Sequence, residues 1–212
     1  MPRLLAVLVG LAICYFPTYV NPLLRLFEIE LGFEGPASII VWNWLAVAAI
    51  LALVIFVERR PFSSILIKRP NAKDIETALF LWGIAMAWHW LAATLLPPAQ
   101  DTGTATLVAL SIPVLLAMIV TTAITEEILF RGYPIERINE LTSTAWIGPS
   151  VSFLIFVLPH LTFFGPGWLL YHGGGTLMIY LLYLRRRNLV ACMLLHLLVN
   201  LPIVIPASGL FG

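Results

Sequence analysis

An all-α, polytopic bundle of about seven membrane-spanning helices is the fold class this sequence predicts, from three observations. Hydrophobic residues make up 60% of the chain and charged residues only 11%. The mean hydropathy is +0.96, which points to an integral membrane domain rather than a soluble one. Apolar runs recur along the 212 residues, each near the roughly 20 residues needed to cross a bilayer. Turn-forming breaks separate them: Gly35-Pro36, Pro97-Pro98, Gly132-Tyr133-Pro134, Gly165-Pro166-Gly167 and Arg187-Asn188. No internal repeat or low-complexity tract is present, so 1–212 reads as a single integral membrane domain.

The first segment, 3–22, follows a single Arg and has the apolar run of a signal peptide. It lacks a small-x-small cleavage site, and its prolines and aromatics continue without interruption, so it is read as a retained helix. Segments 37–57 and 75–96 come next, flanking a basic loop with Arg59, Arg60, Lys68, Arg69 and Lys73. The fourth segment, 107–131, stops at Gly132-Tyr133-Pro134. The polar stretch from Pro134 to Thr144 is too short to span and predicts a short interfacial helix. Segment 148–164 starts at Pro149, a natural first helical position. Segments 168–184 and 188–207 complete the set. In the former, Gly173 to Gly175 lower helix propensity and permit close helix approach. Cys14 and Cys192 lie in apolar runs without CxxC spacing and read as buried thiols.

Orientation follows from charge. With the N-terminus cytoplasmic, Arg25 alone among the 12 basic residues falls outside, as the positive-inside rule requires. Trp42, Trp44, Trp88, Trp90 and Trp168 then sit near the outer interface, with Trp146 and Tyr183 near the inner one. A net charge of +1 without a long basic run gives no argument for nucleic acid. Arg185 to Arg187 read as a topology signal with lipid-headgroup contact.

Against this apolar background, Glu126, Glu127 and Arg131 (TEEILFRG) need a reason. A charge at the centre of a spanning helix costs roughly 2.5–3.5 kcal/mol on insertion scales, and intramembrane ionisable residues mark functional sites. Glu127 and Arg131 are one turn apart and predict a pair, while Glu126 points about 100° away, free to face a cavity. Phe156 and His160 form a second pair one turn apart, and His196 and Asn200 a third. Counting at about 1.5 Å per residue puts Glu126, His196 and His160 roughly 9, 12 and 16 Å from the inner helix ends. That spread allows one shared cavity opening to the cytoplasm. His89, between Trp88 and Trp90, and His172, before the glycines, read as interfacial or locally hydrogen-bonded.

EExxxR, FxxxH and HxxxN, in this order and each on an apolar helix, resemble the CPBP family of intramembrane proteases. That family includes the Ras-converting type II CAAX prenyl endopeptidases and the Abi proteins. The resemblance covers 107–207, the expected catalytic core. Val157 stands where the family often has glycine, and segments one to three match nothing specific. The resemblance implies glutamate-dependent peptide hydrolysis: Glu126 and His160 activating a water, His196 and Asn200 binding the oxyanion or orienting that water, and Glu127 with Arg131 supporting Glu126. A poorly solvated cavity makes a carboxylate a stronger base, and amide and imidazole N–H groups suit an oxyanion.

The expected substrate is a membrane-associated peptide or protein, with lipidated ones included, and the expected location is the cytoplasmic membrane of a prokaryote. No cofactor is expected. The Glu and His residues are of metal-binding type, but their spacing is unlike HExxH and Arg131 is a poor neighbour for a cation. Two other function classes compete. A non-catalytic peptide-binding scaffold or bacteriocin-immunity protein would use the same cavity without yielding product. A proton-coupled transporter would carry polar groups on both sides of the membrane and usually a repeat, which this one-sided cluster lacks.

Overall fold

The computed structural model describes residues 3–29, 38–96 and 102–208. Helix and connecting turns account for all of it, with no strand among the described residues. The helices are α1 (Arg3–Leu26), α2 (Ser38–Ala52), α3 (Ala72–Leu95), α4 (Thr102–Val108), α5 (Ile112–Glu126), α6 (Tyr133–Thr142), α7 (Ile147–Phe164), α8 (Trp168–Tyr171), α9 (Gly173–Arg186), α10 (Leu189–Asn200) and α11 (Val204–Ala207). Two π turns extend this set, Leu53–Val57 after α2 and Glu127–Gly132 between α5 and α6. The expected breaks at Gly35-Pro36 and Pro97-Pro98, and the side chain of Arg25, lie outside the described residues.

Six helical stretches are long and apolar enough to cross a membrane: Arg3–Asn21, Ser38–Val57, Ala72–Leu95, Ile112–Thr142, Ile147–Phe164 and Leu189–Ala207. The expected crossing at 168–184 is made in two pieces, α8 and α9, that meet at His172. The 14 residues of α9 span about 21 Å, short of the roughly 30 Å hydrocarbon core. The glycines that open α9 serve packing instead of length. A Cβ on Gly174 would lie 2.5 Å from Trp88 Cδ1 on α3, and one on Gly175 would lie 2.7 Å from Val199 Cγ1 on α10.

The fourth segment departs from expectation at both ends. It starts at Ile112 rather than 107, because α4 is a separate short helix. It does not stop at Gly132-Tyr133-Pro134, since the π turn carries the chain straight into α6 and makes one 31-residue helical run, Ile112–Thr142. Pro134 sits in the first turn of α6, where a missing N–H is tolerated. The expected interfacial helix is therefore a continuation of α5, and Tyr133, Ile135 and Arg137 on it are buried.

Local caps set other boundaries. Asn71 and Asp74 form a reciprocal capping box at the start of α3, at 2.9 and 3.0 Å. Asn188 caps α10 by accepting the Ala191 N–H at 3.1 Å.

The basic residues at one end of the bundle have protein partners beyond any role as a topology signal. Arg137 binds Glu58 at 2.5 Å, with side-chain exposures of 1% and 8%, and donates to the Ser64 carbonyl at 3.1 Å. Tyr133 donates to Glu58 at 2.9 Å, while Arg3 and Arg60 converge on Glu140 at 2.9 and 2.8 Å. Arg186 and Asn188 hold Asp74 at 2.7 and 3.2 Å. Arg187 and Tyr183 both donate to Glu136 at 2.5 Å. Tyr183, expected at the inner interface, is fully buried, and Trp168, expected at the outer one, is buried too. Trp44, Trp88, Trp90 and Trp146 remain exposed.

Arg137→Ala strands the Glu58 carboxylate in this packed end. The expected loss is about 3–5 kcal/mol of stability, read as a lower unfolding temperature in detergent. Replacing both partners (Glu58→Leu with Arg137→Met) is expected to regain a large part of it.

Candidate functional site

Glu126 ends α5 and Glu127 begins the π turn, so both lie in the most buried stretch of the chain, Thr125 to Arg137. Thr125 fixes the entry: its hydroxyl donates to the Thr121 carbonyl at 2.7 Å and accepts from Asn43 of α2 at 3.0 Å. The pair expected within TEEILFRG is present. Arg131 Nη1 is 2.5 Å from Glu127 Oε1, and both side chains have 0% exposure.

The same Glu127 oxygen also faces His196 Nδ1 at 2.7 Å. A carboxylate paired with an arginine only accepts, so Nδ1 carries the proton and the other ring nitrogen is left for further chemistry. His196 Nε2 points to Glu126, 3.8 Å from Oε2, beyond hydrogen-bond reach. Among the described residues Glu126 has no hydrogen-bond partner, and its side chain keeps 10% exposure. The two adjacent glutamates are therefore in opposite situations. Glu127 is sealed and doubly engaged, whereas Glu126 makes no hydrogen bond among the described residues and keeps a small exposed fraction.

Arg131 is held largely by rings. Its Cζ lies 4.6 Å from the Phe156 centroid and 4.4 Å from that of Tyr180, while Nε and Nη2 have no hydrogen-bond partner among the described residues. Desolvated cation–π contacts are worth about 2 kcal/mol or more, which compensates part of that loss. Phe156 connects the motifs. Its ring is 4.3 Å from His160 as well, so the FxxxH helix joins the EExxxR helix through an aromatic face.

His160 itself makes no hydrogen bond to Glu126, Glu127 or His196 among the described residues. Its Nδ1 donates to the Phe156 carbonyl at 2.7 Å, which leaves Nε2 with a lone pair. Trp168, at 4.7 Å, and Phe164, at 6.0 Å, complete an aromatic wall around the ring. Asn200 lies one turn beyond His196 on α10, half-buried, and its amide has no hydrogen-bond partner among the described residues.

Of the expected residues, Glu126, Glu127, Arg131 and His196 form one cluster and His160 joins through Phe156. Tyr180, Ser152, Trp168 and Asn43 are additions that no motif contains. The one signal for Tyr180 was chemical, since a tyrosine in an apolar helix needs a partner for its O–H. His89, expected to be interfacial or locally hydrogen-bonded, bonds across to another helix, with Nδ1 3.1 Å from the Tyr171 carbonyl of α8. Among the described residues no three His, Cys, Asp or Glu side chains are grouped to hold a metal. At the cluster itself, a dication would compete with Arg131 and His196 for Glu127 Oε1.

Comparison with known proteins places this geometry in context. Residues 108–202, just under half the chain, match a family model described as type II CAAX prenyl endopeptidase Rce1-like. No curated protein and no solved structure matches.

Arg131→Met is expected to destabilise the protein by about 3–5 kcal/mol, because it leaves Glu127 buried without its cation. Arg131→Lys is expected to fall between, since an ammonium keeps the charge without the flat ion two rings clasp. Chemical denaturation in detergent micelles measures both.

Proposed function

We propose that this chain, whose residues 108–202 match a family model described as type II CAAX prenyl endopeptidase Rce1-like, is a member of that family and a glutamate-dependent intramembrane endopeptidase. The family is one of proteases, and six apolar helices of spanning length make the chain an integral membrane protein. The observation that carries the catalytic reading is the division between the two glutamates. Glu127 Oε1 is engaged by Arg131 and His196, so Glu126 is the carboxylate free to take a proton.

In this reading a water lies between Glu126 and His160 Nε2. Glu126 accepts its proton as the oxygen attacks the scissile carbonyl carbon, and the carbonyl oxygen becomes an oxyanion. His196 receives its orientation from Glu127, in the manner of a carboxylate-held imidazole. With Nδ1 donating to Glu127, its Nε2 presents a lone pair that orients the attacking water. The free Asn200 amide donates to the oxyanion. Collapse of the intermediate breaks the C–N bond, and the proton held by Glu126 passes to the leaving amine.

The substrate is a membrane-associated peptide or protein, and the family description supports a prenylated CAAX end as its class. The proposal also places the protein in the cytoplasmic membrane of a prokaryote, with the basic end inside and substrate entering from the cytoplasm. Glu127 to Arg137 are almost wholly buried on that side, so entry runs between helices rather than along the π turn and α6.

Glu126→Gln is expected to lower cleavage of a fluorogenic prenylated CAAX peptide on the order of 10²–10⁴-fold while leaving unfolding unchanged. In sealed vesicles, turnover is expected only when peptide reaches the basic face. A well-folded Glu126→Gln protein with wild-type turnover would sink the mechanism, and absence of product from the wild type would favour the peptide-binding scaffold.

The reaction is proposed to need no metal, because Arg131 already supplies the cation at Glu127. Exhaustive chelation is expected to leave turnover within about twofold, whereas a metal acting as Lewis acid contributes several kcal/mol that chelation would remove.

A further inference from the structure

We propose that Tyr180 is a positioning residue of this site, bracing the π turn and the Arg131 guanidinium with one side chain; only its kinetic readout rests on the protease reading above. In a regular α-helix the Phe130 carbonyl would accept the N–H of residue 134. That residue is Pro134, which has no N–H and whose ring crowds the carbonyl four residues back. The chain widens instead into the π turn Glu127–Gly132, and the Tyr133 N–H bonds the Ile128 carbonyl five residues earlier.

The Phe130 carbonyl is then satisfied from outside the helix, by the Ser152 hydroxyl of α7. Ser152 Oγ lies 2.8 Å from the Tyr180 hydroxyl. A carbonyl only accepts, so Ser152 spends its proton on Phe130 and Tyr180 donates to Ser152. The result is a directed chain from the Tyr180 O–H through Ser152 to the Phe130 carbonyl. Ser152 and Tyr180 are both buried, so no water replaces either link at low cost.

The ring of the same tyrosine carries Arg131, with Cζ 4.4 Å from its centroid. Consecutive residues of the π turn are thus held by one side chain of α9, residue 130 through the hydroxyl and residue 131 through the ring. Arg131 holds Glu127, and the shared Glu127 oxygen holds His196 Nδ1 at 2.7 Å. A change at Tyr180 therefore reaches His196 through Arg131 and Glu127, although Tyr180 touches no reacting atom.

Full-length protein with ¹⁵N-labelled histidine, solubilised in detergent, tests this by NMR of its 4 histidines. Tyr180→Leu is expected to shift the His196 ring resonances and leave those of His89 in place. Tyr180→Phe, which keeps the ring, is expected to move them less. In peptide cleavage Tyr180→Leu is expected to lower kcat on the order of 10²-fold with KM within about twofold, and Tyr180→Phe to recover to within about tenfold of wild type.

Tyr180→Phe and Ser152→Ala break the same hydrogen-bonded chain, so the double variant is expected to lose no more kcat than either single one. Unshifted His196 resonances in folded Tyr180→Leu would overturn the proposal. If Tyr180→Leu does not fold, the Phe and Ala variants decide, and additive losses overturn it. If the chain cleaves no peptide, the protease reading fails, while the His196 resonances still test the bracing.

Discussion

One carboxylate oxygen, Glu127 Oε1, organises this protein. It accepts from Arg131 at 2.5 Å and from His196 at 2.7 Å in a place without exposure. Desolvating two charges costs several kcal/mol per ion even after relaxation, and the attraction between them offsets that only with good geometry and further support. The support here is partly unconventional. Among the described residues Glu127 Oε2 and two Arg131 nitrogens lack hydrogen bonds, and the faces of Phe156 and Tyr180 stand in for the missing partners of Arg131. Because Arg131 needs those rings, the pair draws α7 and α9 against α5. Because Glu127 is committed, Glu126 next to it is not.

A proline shapes the backbone around that oxygen. Pro134 ought to end a helix, yet the run from Ile112 to Thr142 is continuous. The π turn absorbs the missing N–H, and Ser152 takes the orphaned Phe130 carbonyl. This continuity extends α5 into a buried end held by Glu58, Arg137 and Glu140. The two carboxylates therefore sit partway along a helix anchored on both sides, with Thr125 fastened to Asn43 just before them. π bulges tend to occur at functional sites, which is the role proposed for this stretch.

Much of the site was legible because it repeats with helical period. Glu127 with Arg131, and His196 with Asn200, are one turn apart in any α-helix, and the Glu127–Arg131 pair survives in a π turn. Less was legible where a residue's role depends on another segment. Trp168 follows Gly-Pro-Gly and reads as an interfacial anchor, but it is buried against His160. Tyr183 and Arg137 read as interface and topology signals, and both are buried in ion-pair networks with acids from other elements or the adjacent turn. Segment 168–184 passed a length test that its glycines, recruited for contact with Trp88 and Val199, fail in the fold.

By itself the sequence determined which chemical groups each helix carries and which share a face, since a rise of about 1.5 Å and a turn of about 100° per residue are properties of the backbone. Tertiary structure decided which groups meet: that Glu127 takes His196 as well as Arg131, that Phe156 connects Arg131 to His160, and that Tyr180 stands behind them. Those meetings depend on how closely helices approach. Side chains from distant segments set that approach, including glycines whose missing Cβ lets α9 settle onto α3 and α10.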